Sequence, residues 1–197
     1  SAALYADDLE LPKHEKMMRD PKSPYGVSKA AGEIYMLSFN KTYGMNTTPL
    51  RYFNVYGPRQ RMTEYAGVMA VFLEGLLRYK KGPTIYGDGT QTRDFIYVKD
   101  VVKANLMVAF NSNASGEIFN VATSKPIDIN SLTKLILKLT KNEDLEIKYG
   151  PKRLGDILHS YADISKIREK IGFKPDYSIE EGLKEYVEYL QTRKSID

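Results

Sequence analysis

Short runs of β-branched and aromatic residues alternate with helix-length amphipathic segments along this chain, and that alternation limits the fold more than any other feature. The runs lie at 47–53, 84–86, 95–98, 118–121 and 145–149. Helices are predicted at 24–43, 67–79, 100–110, from 130 onward (Leu132, Leu135, Ile136 and Leu139 at helical spacing), at 163–171 and from 178. Strands separated by helices pair by crossover rather than by tight hairpin, so the expected class is α/β. Residues 54–66 read as a polar loop containing glycine and proline.

Helix ends are marked by residues that satisfy free backbone groups. Ser23 suits the N-cap of the first long helix, Pro24 its first turn and Gly44 its stop. Asp100 and Asn130 are expected to cap their helices, and Ser178-Ile179-Glu180-Glu181 is a capping box opening a helix that buries Ile179, Leu183, Val187 and Leu190. The helix over 24–43 carries apolar residues on more than one face: Ala30, Ile34 and Leu37, with Ala31, Tyr35 and Phe39 beside them. It should be buried on several sides, inside a domain or against a partner chain.

Composition removes several function classes. The 197 residues are 42% hydrophobic, ample for a core, yet no run of about 18 apolar residues could span a membrane. The opening residues lack the basic and apolar regions of a secretory signal. There is no cysteine, hence no disulfide and no thiolate chemistry, and two histidines, His14 and His159, are too few for a histidine-rich metal site. Both are expected at the surface. A reducing, cytoplasmic setting fits this usage. The net charge of +4 (pI about 9.0) comes from scattered positives, and the knot Arg78-Tyr79-Lys80-Lys81 reads as a solvated helix end rather than a nucleic-acid site.

Tyr25 and Lys29 stand four apart at the start of a helix, and so share a face. A phenol, with an ordinary pKa near 10, becomes a useful base at neutral pH only beside a group, such as an ammonium, that favours phenolate. The pair can form an acid/base unit.

The blocks Ser1–Tyr5, Ser23-Pro24-Tyr25-Gly26-Val27-Ser28-Lys29, Leu50-Arg51-Tyr52-Phe53-Asn54-Val55-Tyr56-Gly57-Pro58-Arg59, Tyr86-Gly87-Asp88-Gly89-Thr90-Gln91-Thr92-Arg93-Asp94-Phe95-Ile96-Tyr97-Val98 and Arg153-Leu154-Gly155-Asp156 resemble the extended short-chain dehydrogenase/reductase family, its nucleotide-sugar 4-epimerases above all. The resemblance runs through the chain in order. It implies the C-terminal part of such a protein: an incomplete Rossmann fold at 1–60 carrying the Tyr-x-x-x-Lys helix, and a small α/β domain at 61–197 for the nucleotide sugar, with segments returning to the Rossmann sheet. The Gly-x-x-Gly-x-x-Gly unit with which the family holds the NAD pyrophosphate is not in these residues. NAD is therefore expected in the complete protein and not on this chain alone.

By position, the resemblance makes Tyr25 the catalytic base, Lys29 its partner and the holder of the nicotinamide ribose, and Ser1 the serine that hydrogen-bonds the sugar hydroxyl. Phe53 would line the nicotinamide. Asn54 would contact the sugar diphosphate, Arg93 and Arg153 would grip it, Tyr86 would lie near uracil or ribose, and Asp156 would bind ribose. Asn120 belongs to a block whose role is mainly packing. Ala2 and Ala3 stand where dehydratases carry an Asp-Glu pair and decarboxylases a glutamate, so an epimerase is expected; Ala6 replaces the usual glycine, with a local backbone change expected. Four residues after Asp156, Ser160 is expected beside the sugar's C2 substituent, where a small side chain admits N-acetylhexosamines. UDP-glucuronate or GDP-sugar epimerases, and a non-catalytic nucleotide-sugar-binding or oligomerisation fragment, are the alternatives. The implied partners are a UDP-sugar and a second copy docked through the 24–43 helix, with no nucleic acid, membrane or metal.

Overall fold

The computed structural model describes residues 1–5, 10–60, 67–152 and 157–193. In chain order these form helix α1 (Pro24–Tyr43), strands β1 (Leu50–Tyr52) and β2 (Asn54–Tyr56), α2 (Val68–Tyr79), β3 (Thr84–Tyr86), β4 (Thr92–Tyr97), α3 (Val98–Ala109), β5 (Phe119–Val121), β6 (Pro126–Asp128), α4 (Ile129–Thr140), β7 (Lys148–Gly150), β8 (His159–Ser160), α5 (Ser165–Ile171) and α6 (Ile179–Arg193). Strand β1 runs parallel to β5, β2 parallel to β4, β3 parallel to β7, and β8 parallel to β4; only β6 runs antiparallel to its neighbour, β4. The predominance of parallel pairs joined through helices is the α/β architecture that the alternation predicts.

Several boundaries differ from the sequence reading, each for a local reason. Residues 54–56 are not loop: after one intervening residue, Phe53, the chain leaves β5 and re-enters pairing beside β4. Strands β6 and β8 are too short to carry a period-2 signal and are held by β4 itself. Asp128, not Asn130, caps α4, its carboxylate accepting from Ser131 N at 2.8 Å. The freed Asn130 side chain instead donates to Asp88 O and accepts from Tyr149 Oη. Asp100 lies inside the first turn of α3, buried, and its carboxylate receives the backbone N–H groups of Asp176 and Tyr177. The other ends follow the sequence: Ser23 Oγ accepts from Gly26 N, Gly44 and Gly172 stop α1 and α5 in the left-handed region, and Ser178 and Glu181 exchange capping bonds before α6. Ala6 lies outside the described residues.

Two hydrophobic clusters share strand β4. Ile96 points into one, with Phe53, Phe119, Val121, Ile164, Ile167 and Phe173; Phe95 and Tyr97 point into the other, with Phe72, Leu76, Ile85, Leu132, Ile136 and Leu183. Alternate side chains of a strand leave opposite faces, so β4 forms a wall common to both. Gly182 allows α6 to close on the second cluster, because a Cβ there would strike Tyr56 Oη. Of the apolar positions expected on α6, Leu183 and Val187 are buried and Ile179 and Leu190 pack partly buried against them.

Asp94, completely buried in β4, is the polar knot of this wall. One carboxylate oxygen accepts from Thr123 N (2.9 Å) and Thr123 Oγ1 (2.5 Å), the other from Ser124 N (2.9 Å) and Ala162 N (3.2 Å). Burial pushes this carboxyl up despite those bonds. An amide is isosteric but offers one acceptor oxygen, so Asp94→Asn orphans one set of donors, at about 1–3 kcal/mol for each group left unpaired. Chemical denaturation should show that loss, although the substitution removes a buried charge; wild-type stability in the variant would contradict the account.

Candidate functional site

The N-terminal residues and α1 meet at a glycine. A Cβ on Gly26 would come within 2.9 Å of Pro21 Cβ and 3.0 Å of Ala3 O, so only glycine lets the first turn of α1 lie against the short 3-10 turn Ala2–Leu4. That turn is capped by Ser1, whose Oγ accepts from Ala3 N at 3.2 Å. The contact sets Ser1, Tyr25 and Lys29 at one mouth of a cleft of about 840 Å³. Tyr25 is 55% exposed, and Lys29 Nζ lies 5.3 Å from the centre of its ring.

Phe53 and Asn54 form the floor of the cleft, at the point where the chain passes from β1 to β2; the far side is built by Tyr86 at the end of β3, Arg93 in β4 and apolar residues of α2. Asn54 Nδ2 donates to Asp94 O at 2.9 Å, tying the floor to β4. Arg93 donates to Thr92 O at 2.9 Å. Lys29 and Arg93 are charged, and no carboxylate lines the cleft among the described residues. Two cations facing apolar and aromatic walls suit an anionic ligand with a flat or sugar-like body.

The structure thus brings together Ser1, Tyr25, Lys29, Phe53, Asn54, Tyr86 and Arg93. Ser160 is not among the lining residues; it stands on β8 in register with Arg93. Arg153 and Asp156 lie outside the described residues. His159 is exposed and its ring meets Thr92 Oγ1, while His14 is half-buried beside Glu10. Asn120 does more than pack: fully buried, it accepts from Tyr5 Oη and donates to Lys13 O and Asp163 O.

Sequence reasoning missed the groups behind the cleft. Glu33, one helical turn beyond Lys29, is 5% exposed and receives Arg51 Nε at 2.8 Å and Arg51 Nη2 at 2.7 Å, a two-pronged pairing, together with Arg19 Nε at 2.5 Å. Arg51, 1% exposed in β1, also donates to Tyr5 Oη at 2.7 Å. Burial alone would raise the Glu33 carboxyl, but hydrogen bonds and charge from Arg51 and Arg19 outweigh it and hold the group below the ordinary glutamate range. A signal was present: one acid in the helical stripe Ala30-Glu33-Leu37 and one arginine inside the apolar run 50–53.

The buried helix face is narrower than the pattern suggests. Gly26, Ala30 and Glu33 are buried in α1, whereas Val27, Ile34, Tyr35, Phe39 and Tyr43 are exposed. The expectation of burial on several sides within the chain is therefore corrected.

For NAD the fit is partial. A phenol and an ammonium at the cleft mouth suit ribose hydroxyls and a nicotinamide ring, with Phe53 behind them. The described glycines with positive φ (44, 57, 87, 89, 116 and 172) terminate helices or turn loops, and none sits in a Gly-x-x-Gly-x-x-Gly unit between strand and helix. Among the described residues there is neither a group of three His, Cys, Asp or Glu able to hold a metal nor a helix long and apolar enough to cross a membrane.

Comparison with known proteins agrees with this architecture. UDP-glucose 4-epimerase of Mycolicibacterium smegmatis is 35% identical over 191 residues, covering 97% of this chain and 60% of that protein. The structure of UDP-N-acetylglucosamine 4-epimerase from Methanobrevibacter ruminantium, in complex with UDP-N-acetylmuramic acid, superposes with a TM-score of 0.92 at 42% identity, over 98% of this chain and 61% of that one. UDP-glucose 4-epimerase from Thermotoga maritima, solved with UDP-glucose, gives a TM-score of 0.90 at 42% identity, over 100% of this chain and 62% of that one. The chain spans about 60% of the length of the curated relatives it matches. Residues 1–122 match the NAD dependent epimerase/dehydratase family, and with an α/β fold shared with solved epimerases over nearly its whole length, the chain belongs to that family.

Proposed function

We propose that these residues form the nucleotide-sugar site and catalytic helix of a cytoplasmic UDP-sugar 4-epimerase. The observation that carries the reading is the convergence of Ser1, Tyr25, Lys29, Phe53, Asn54, Tyr86 and Arg93, from separate segments, on one cleft whose described charged groups are both cations. Arg93 holds the diphosphate, joined by Arg153, with Asp156 at the ribose and Tyr86 at ribose or base. Tyr25 Oη takes the proton of the 4-hydroxyl, Lys29 stabilises the resulting phenolate, and Ser1 Oγ donates to the sugar oxygen at C4. NAD, held in the complete protein by Tyr25, Lys29 and Phe53, would supply the hydride acceptor and donor at C4. Turning of the 4-keto sugar between the two transfers inverts the centre, and Tyr25 gives its proton back.

The substrate range is proposed to include N-acetylhexosamines: Ser160, the register partner of Arg93, has a small side chain, and the reading places it toward the sugar's C2 group although it does not itself line the cleft. The test uses a chain that also carries the family's glycine-rich unit. It should interconvert UDP-glucose with UDP-galactose and also their N-acetyl forms, and Ser160→Tyr should abolish only the second activity. No turnover of either pair would refute the epimerase reading. No wild-type activity on the N-acetyl pair, or equal loss on both in the variant, would refute the gate alone.

The exposed residues of α1 fit a second copy of this chain, since Val27, Ile34, Tyr35, Phe39 and Tyr43 would otherwise meet water. Sedimentation of the 197-residue chain should show a dimer, and a monomer at high concentration would count against that partner.

A further inference from the structure

We infer that Glu33 and Arg51 are a positioning pair, which sets the helix bearing Tyr25 and Lys29 against the strand junction bearing Phe53 and Asn54. The inference rests on the epimerase reading and extends it to two residues outside the cleft.

Arrangement carries the argument first. The mouth and the floor of the cleft belong to different elements: Tyr25 and Lys29 to α1, Phe53 and Asn54 to the passage from β1 to β2. Glu33 lies one turn from Lys29 on the same helix, and Arg51 two residues before Phe53. Their bond therefore joins the two directly. Among the described residues of α1, Glu33 is the one charged side chain that is buried; its other buried positions, Gly26 and Ala30, have little or no side chain to interlock. A helix resting on glycine and alanine can slide or roll, and a two-pronged pair fixes distance and direction together.

Energetics point the same way. Two buried charges give little net stability over well-packed apolar residues of similar size, so stability alone does not account for them. The pair is also held from both sides. Arg19 grips Glu33, and Arg51 is braced by Tyr5, whose hydroxyl is in turn fixed by Asn120, the register partner of Arg51 across β1 and β5. Such bracing over-determines the angle of the guanidinium, as expected of a group whose orientation matters.

The test uses Arg51→Lys, which keeps the charge and removes the fork. The chain has no cysteine, so spin labels can be placed without interference at Gly32→Cys, where a Cβ meets nothing within 4 Å, and at Lys125→Cys, an exposed position. In the 197-residue chain, mixed with excess unlabelled chain so that each dimer carries one labelled copy, pulsed electron–electron resonance should give one narrow distance distribution, broadened or displaced by Arg51→Lys. In the chain carrying the glycine-rich unit, kcat per folded molecule should fall about tenfold or more, with KM for the UDP-sugar nearly unchanged, because a misplaced base slows chemistry while Arg93 still holds the diphosphate. Should Arg51→Lys fail to fold, Glu33→Gln carries the same readouts. A wild-type distance distribution, a wild-type kcat, or failure of both variants to fold would each overturn the inference. Failure of the epimerase reading is seen separately, as no turnover of either UDP-sugar pair by the wild-type chain carrying the glycine-rich unit.

Discussion

Tyr25→Phe, in a chain able to bind NAD, should lower the turnover of a UDP-sugar by about a hundredfold or more, the range expected when a general base is removed. The phenol is the one described group at the cleft mouth with an exchangeable proton and an ammonium on the same helix face. It is 55% exposed, so removal of one oxygen should leave stability almost unchanged, and nucleotide-sugar affinity should persist because Arg93 is untouched. The expected pattern is a fall in kcat with little change in KM or melting temperature. Near-normal turnover would show that another group takes the proton.

Arg51→Met should be the most destabilising single substitution in this region. Methionine fills much of the same volume but leaves the Glu33 carboxylate buried with Arg19 as its remaining cation, and breaking a buried pair costs about 3–5 kcal/mol. The pH dependence gives a second check. In the wild type the Glu33 carboxyl titrates below its unfolded value, so its stabilisation is complete above the ordinary glutamate range and is lost as the pH falls through the folded pKa. Without Arg51, burial raises the carboxyl, and protonation then relieves the variant. The stability gap between wild type and variant should therefore begin to narrow above about 4.3, the ordinary glutamate pKa, as the pH falls through the variant's raised carboxyl, and continue to narrow below it. A gap independent of pH would mean that packing, not charge, dominates at this site.

What the sequence disclosed and what it hid follow from the range of each interaction. Caps and stops are local, and Ser23, Gly44, Gly172 and the Ser178–Glu181 box could be read directly. Asn54–Tyr56, Pro126–Asp128 and His159–Ser160 could not, because these short segments mix polar residues or proline with too few apolar ones to stand out and become strands only by pairing with β4. Asp100 and Asn130 were misplaced as caps because their partners lie 76 and 42 residues away. The cleft residues were legible as blocks of a known pattern, not through any physical signal of their own; their convergence needed the fold. Glu33 and Arg51 are the opposite case: two isolated charges in apolar runs, each unremarkable until the other is placed beside it.

Strand β4 has a consequence for how the molecule melts. Ile96 is anchored in one cluster while Phe95 and Tyr97 are anchored in the other, and Asp94 ties the same strand to the loop after β5 and to the chain following β8. Neither lobe can lose this strand without stripping the other of part of its interior. Opening of one side alone is penalised twice, so the two halves should behave as a single cooperative unit rather than as independent modules. Mutational tolerance should follow the same rule: a change at 94–97 is judged by two interiors at once, whereas a change on α4 or α5 is judged by one.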